Sequence, residues 1–328
     1  MALIRKRKRS WLVFGLLWVW SCGALAQEQD AEQAPGDEQA NEEEPAPASA
    51  KDRPVLHTGL GEWGLASQYP EQAVWLELED DSRALALFRP ELETPAKAAV
   101  IVLADEGQTA DEGVTGALRQ ALPGAGMATL TLGLRTPPEA LRRSRLARTV
   151  PTPGEDGGED GEPAGDNGDD AAPGAGSVMI DVASDEELQT LFDNYANSVR
   201  TLLDAAAATL SEQGYQALVV LGVGWSADYV AQWAAGRNNL EGVVWLAPSF
   251  SPPRLAEVSG LLAGERVWWL LDLHGSFGPV GVQGRERAAR FAREGVERYR
   301  RQALPLASPP RREDADRVVN RLRGQFQR

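Results

Sequence analysis

The sequence predicts an α/β protein: a mainly parallel sheet with helices on both faces, in one domain interrupted by an acidic insertion. Three observations carry this. Two short alternating segments between residues 74 and 88 read as an antiparallel pair. The run Ala98-Ala99-Val100-Ile101-Val102-Leu103 has the unbroken hydrophobicity of a strand buried on both faces. From there onward strand-like and helix-like segments alternate, the pattern that places helices over a parallel sheet.

Taken in order, Val74–Leu78 and Ala84–Phe88 are strands, with Glu79-Asp80-Asp81-Ser82 as the hairpin turn. After the strand at 98–103 a helix covers 113–122 and stops at Pro123-Gly124, and Met127–Leu132 is the next strand. Ser184-Asp185-Glu186-Glu187 is a capping box, and apolar residues from Leu188 to Leu210 keep helical spacing until Gly214. Ala217–Leu221 is a strand, Ala227–Ala235 a helix stopped by Gly236, and Val243–Ala247 and Val267–Leu273 are strands. A helix over 284–301, a short Pro-limited edge strand at Ala303–Leu306 and a last helix over 313–326 complete the reading.

Charge is distributed by segment. Residues 1–26 carry five bases and no acid, residues 27–50 eight acids and no base, and residues 151–176 eight acids and no base. The remainder, 32 acids against 28 bases, is nearly neutral, so bulk charge argues against a nucleic-acid binder. Arg5-Lys6-Arg7-Lys8-Arg9, the apolar run of residues 11–20 and Ala24-Leu25-Ala26 have the form of a secretory signal, with cleavage expected after Ala26. That run is too short to span a bilayer, which takes about 20 residues, so no transmembrane span is expected after cleavage. Trp20 occupies the place where lipoprotein processing at Cys22 would take a small residue. The expected location is periplasmic or secreted. Residues 27–53, and again 151–176, lack the apolar content to offset ordering and are expected to be a disordered acidic linker and a disordered insertion within a domain spanning 54–328.

One Cys and two His leave no disulfide framework and no multi-Cys metal site, and no metal or cofactor is expected. Gly157–Asp170 lacks the spacing and terminal Glu of a calcium loop. Adjacent Asp105 and Glu106 are poorly placed for glycosidic acid–base work. The mature chain's seven Trp read mostly as aromatic core, Trp225 excepted. Residues 283–328, with 13 Arg and six acids, read as solvated helix faces, or else as a basic face for an anionic envelope component.

Leu218-Val219-Val220-Leu221-Gly222-Val223-Gly224-Trp225-Ser226-Ala227 is strand, sharp turn, helix. It resembles the nucleophile elbow, G-x-S-x-G, of the α/β-hydrolase superfamily. Together with Leu85-Ala86-Leu87-Phe88-Arg89-Pro90, Asp105-Glu106-Gly107-Gln108 and Val318-Val319-Asn320-Arg321-Leu322-Arg323-Gly324, it resembles the uncharacterised bacterial domain-of-unknown-function family 3530. The resemblance implies a ligand crevice at the C-terminal strand ends, formed by Asp105, Glu106, Gly107, Gly222, Gly224 and Trp225.

It also exposes three departures. The nucleophile position falls on Gly224. The acid position, four residues after the His of His274-Gly275-Ser276-Phe277-Gly278, falls on Gly278. The catalytic His is expected near Ala307-Ser308, and no His follows His274. A relay needs nucleophile, base and orienting acid together, so the first reading is a non-catalytic binding or interaction module of the cell envelope, with an unidentified small molecule or envelope component as partner. The alternatives are an esterase-like hydrolase with a rearranged site of Ser226, Asp272 and His274, and a partner protein acting through its acidic segments. Against the hydrolase, Ser226 reads as the N-cap or first turn of the helix starting at Ala227, His274 as a histidine satisfied by hydrogen bonds at a strand end and His57 as a solvated loop residue.

Overall fold

The computed structural model describes residues 61–79, 82–147 and 184–326. The expectations for residues 1–26, 27–53 and 151–176, for His57 and for the tip of the first hairpin lie outside the described residues. The described residues all belong to one compact unit, Val55–Arg328.

Eight strands form one sheet: β1 Ala73–Glu77, β2 Arg83–Arg89, β3 Ala98–Glu106, β4 Met127–Leu134, β5 Leu218–Val223, β6 Gly242–Leu246, β7 Trp269–Gly275 and β8 Tyr299–Leu304. Their order is β1-β2-β4-β3-β5-β6-β7-β8. β2 runs antiparallel to both neighbours, and every pairing from β4 to β8 is parallel. The helices are α1 Glu62–Gln68, α2 Gly113–Ala121, α3 Glu139–Ala147, α4 Asp185–Glu212, α5 Ser226–Ala235, α6 Pro252–Leu261, α7 Gly278–Arg293 and α8 Ala315–Arg323.

The central strands β3, β5 and β6 carry long apolar runs because both faces are covered, and alternate side chains serve different layers. On β3, Ala99, Ile101 and Leu103 join a core shared with α4, α5, α6 and α7. Ala98, Val100 and Val102 join the opposite core, closed by Val114 and Leu118 of α2 and Val318 and Leu322 of α8. Trp245 and Trp268 are core residues, whereas Trp63 is exposed and rests on the Trp75 ring. The Ser184–Glu187 capping box forms in both directions at the start of α4. Among the described residues, no helix is long and apolar enough to cross a membrane.

The sequence reading differs from the structure at five elements. Helices α1, α3 and α6 are not anticipated. The helix expected over 284–301 begins six residues earlier, at Gly278, and ends at Arg293, because Gly295 takes a φ of +69° and turns the chain. Tyr299–Leu304 is then the edge strand β8, earlier than expected. The expectation of solvated faces over 283–328 also fails at two charged residues: Arg287 of α7 and Asp314, just before α8, are buried.

Candidate functional site

The parallel run brings the C-terminal ends of β3, β5, β6 and β7 to one edge of the sheet, where a crevice opens in such folds. At the end of β5 the chain turns through Gly224, whose φ of +59° lies in the region that favours glycine. The turn is tied to β6 by Gly224 N–H on Leu246 O at 3.0 Å and Ser249 N–H on Gly224 O at 2.9 Å.

The space above Gly224 is already taken. A Cβ on Gly224 would lie 2.2 Å from Asp105 Oδ2. Asp105 Oδ1 accepts Trp225 N–H at 2.8 Å and Glu106 N–H at 2.9 Å. α/β-hydrolases build an oxyanion hole from the amide after the elbow nucleophile and one from the loop after β3; the two donors in this chain are the amide after the elbow apex and that of Glu106, the last residue of β3. Here an internal carboxylate occupies them. Burial pushes the Asp105 carboxyl above its ordinary value, against the opposing pull of the two backbone N–H bonds. Oδ2 makes no hydrogen bond among the described residues.

Glu106 points elsewhere. It accepts from Arg145 and, at 2.8 Å, from the Tyr229 hydroxyl, and Arg145 also donates to that hydroxyl at 3.0 Å. The Arg145 guanidinium lies 4.5 Å from the Trp225 ring centre. Burial and the adjacent Glu106 charge push the Tyr229 hydroxyl far up; for Arg145, burial is outweighed by Glu106 and its pKa rises. The six crevice residues are therefore divided. Asp105 and Gly224 share a recess with His274. Gly107 lines a separate cavity beside Thr136, and Trp225 a third beside Arg145 and Arg254. Gly222 lines none of these; it lets α5 approach, since a Cβ there would lie 3.0 Å from Ala227 Cα.

The rearranged constellation is not assembled. Ser226 is the first residue of α5, within the first turn as expected, makes no side-chain cap and is fully buried. Its hydroxyl lies 2.8 Å from Val223 O and 3.1 Å from Leu103 O, and donates into these carbonyls beneath the elbow. Asp272 is fully buried and saturated: Arg287 binds it with two bonds, at 2.7 and 3.0 Å, and the Tyr299 hydroxyl donates at 2.6 Å. Burial raises its carboxyl, but His274, Arg287 and Tyr299 outweigh burial and hold it below the ordinary value. His274 is at the strand end as expected but is not satisfied by hydrogen bonds: its Nδ1 stands 3.5 Å from Asp272 Oδ1, an electrostatic contact too long for a good hydrogen bond, and its ring is packed against Gly284 of α7, so neither nitrogen has a hydrogen-bond partner. Gly278, at φ +64°, opens α7 with open space beside it and does not line the recess.

Residues that sequence reasoning missed are Arg145, Tyr229, Arg287, Tyr299, Gln283 and Ser249. Only Arg287 carried a signal: it falls four residues before Phe291 on the core-facing stripe of α7. Among the described residues no group of three His, Cys, Asp or Glu side chains could hold a metal.

Solved structures share the fold. Est1E from Butyrivibrio proteoclasticus is 11% identical with a TM-score of 0.50, over 78% of this chain and 98% of that one. An esterase domain from a Rhodothermus marinus protein is 13% identical at TM-score 0.47, over 77% and 96% of the two chains. A dienelactone hydrolase from Anabaena variabilis is 14% identical at TM-score 0.48, over 78% and 95%. No curated protein matches this sequence. The fold is α/β-hydrolase-like, and a family model matching residues 12–246 places the chain in the family described as protein of unknown function DUF3530.

Proposed function

We propose that this chain is an exported, non-catalytic α/β-hydrolase-fold protein that binds a small ligand in the recess around Gly224. The observation that carries the reading is the Asp105 carboxylate on the two oxyanion-hole amides. Acyl transfer needs those donors free for a developing negative charge, and a carboxylate there both consumes and repels. The elbow apex offers no nucleophile, and the hydroxyl of Ser226, two residues on in sequence, is spent on backbone carbonyls. Export rests on the basic and apolar segments before Ala26 and on a body without cysteine, compatible with an oxidising compartment.

The test is treatment of the purified chain with a serine-reactive fluorophosphonate and a panel of short-chain esters. Neither labelling nor turnover above buffer is expected. Labelling or turnover abolished by Ser226→Ala would overturn the reading. Export is checked by mass spectrometry of the protein recovered from a periplasmic extract; the expected N-terminus is Gln27.

A further inference from the structure

A second space opens where β4 ends. It holds about 470 Å³, within the range of small-molecule sites, and neither Gly224 nor Trp225 lines it. Its position follows from the sheet. Leu85 of β2 belongs to the layer under α1, whereas Leu134 of β4 and Val199 of α4 belong to the layer on the other face. The two layers meet at the start of β2 and the end of β4, so the space has walls from both. Ala84, Leu85, Leu134 and Val199 are buried along its floor, and Leu78 and Leu202 are half-buried beside them. The cavity beside Gly107, about 300 Å³, shares Leu85, Leu134 and Arg135 with it, so the apolar floor runs on past one cavity.

Polar groups of the lining stand at the mouth. Glu62, Glu79, Arg135 and Ser198 are exposed, and the three charged ones make no ion pair among the described residues. None of the buried side-chain polar atoms left without a partner belongs to this lining, so nothing at depth calls for a donor or an acceptor. A ligand polar throughout would bury its own groups unpaired against the floor, at a cost. A hydrocarbon chain suits that floor, and an elongated one follows it from one cavity toward the next. The head left at the mouth would meet two carboxylates and one guanidinium. An anionic head is disfavoured by that balance, while an uncharged head leaves each of the three charges in water.

We propose that this space binds a single-chain amphiphile, with its hydrocarbon chain on the floor of Leu85, Leu134 and Val199 and its uncharged head at the mouth. The site is separate from the recess around Gly224 and does not depend on the non-catalytic reading. In ligand-observed NMR titrations of the purified full chain, kept below the micelle concentration, n-octyl glucoside is expected to saturate. Each buried methylene is worth about fourfold in affinity, so n-hexyl glucoside is expected to bind at least about tenfold more weakly. n-Octyl sulfate, with the same chain and an anionic head, is also expected to bind more weakly. In methyl-labelled protein, shifts are expected at Leu134, Val199 and Leu202 and not at Val280 of the Gly224 recess. Ser198→Trp, an exposed change at the mouth, is expected to abolish saturation while the unfolding midpoint stays at the wild-type value. Asn194→Trp, exposed on the same helix and outside the lining, is expected to bind like wild type. No saturation, equal affinity for the two chain lengths or the two heads, shifts centred on Val280, or saturation unchanged by Ser198→Trp would each overturn the assignment. Ester turnover would sink the functional reading and leave this site standing, whereas an inert protein that ignores amphiphiles would sink only the site.

Discussion

A serine at position 224 would have to hold a φ of +59° and place its Cβ 2.2 Å from Asp105 Oδ2. The backbone strain alone is worth about 1–3 kcal/mol. Gly224→Ser is therefore expected to lower stability by at least that amount in urea unfolding, and Asp105→Gly in the same chain to recover part of the loss. A double-mutant cycle should return a coupling of about 0.5–3 kcal/mol; strictly additive effects would mean that the carboxylate does not contest the space. Asp272 and Asp105 should also respond oppositely to pH. Asp272 is depressed by folding, so the stability it contributes is full above its unfolded value, near 3.8, and is lost as pH falls through its lower folded value. Asp105 is raised, so folding pays a penalty once pH passes its unfolded value. Unfolding midpoints between pH 3 and 8 should show Asp105→Asn gaining on wild type as pH rises. Asp272→Asn, which strands Arg287, should fall behind by about 3–5 kcal/mol near neutrality, with the gap narrowing in acid. At this scale the sequence showed the glycine at the elbow, because Gly222-Val223-Gly224 sits between a strand and a helix. It did not show what fills the gap, since no spacing rule relates residue 105 to residue 224.

Among the elements, α7 illustrates where pattern reading stops. Its C-terminal boundary is set by Gly295, yet the arginines beyond continue a polar pattern that reads as more helix. β8 is an edge strand with one fully buried residue, so it lacks the apolar run that marked β3. Helix α6 opens with Pro252-Pro253, which looks like a breaker unless placed in the first turn, where proline is favoured. α1 is only seven residues long, and α3 is arginine-rich with little apolar signal. β3, β5 and β6 were legible because burial on both faces leaves them long apolar runs. The link between α7 and the sheet can be weighed at Phe291, fully buried and in edge contact with the Trp245 and Tyr299 rings. Phe291→Ala should cost about 3–5 kcal/mol in chemical denaturation; a loss under 1 kcal/mol would mean that α7 packs elsewhere.

Over the whole molecule, the alternation of strand and helix specified the sheet and its two helical layers, and the resemblance supplied the position of the elbow after β5. The crevice was not legible at this scale. Sequence placed six residues in one groove, whereas Arg145 on α3 and Tyr229 on α5 draw Glu106 away and divide it. Side-chain partners from three elements decide that outcome, and linear order does not encode it. The only cysteine is Cys22, so the body carries no disulfide. Its thermal midpoint is expected to be the same with and without excess reductant, checked by circular dichroism; a drop on reduction would mean that an intermolecular bridge supports the fold.

The carboxylate over the elbow also gives mutational history a direction. A lone replacement at 224 that installs an attacking group collides with its neighbour, while trimming residue 105 first merely empties a niche. Any lineage leading from this sequence to ester cleavage must take those steps in that order, and laboratory selection for such activity should find the β3 change first.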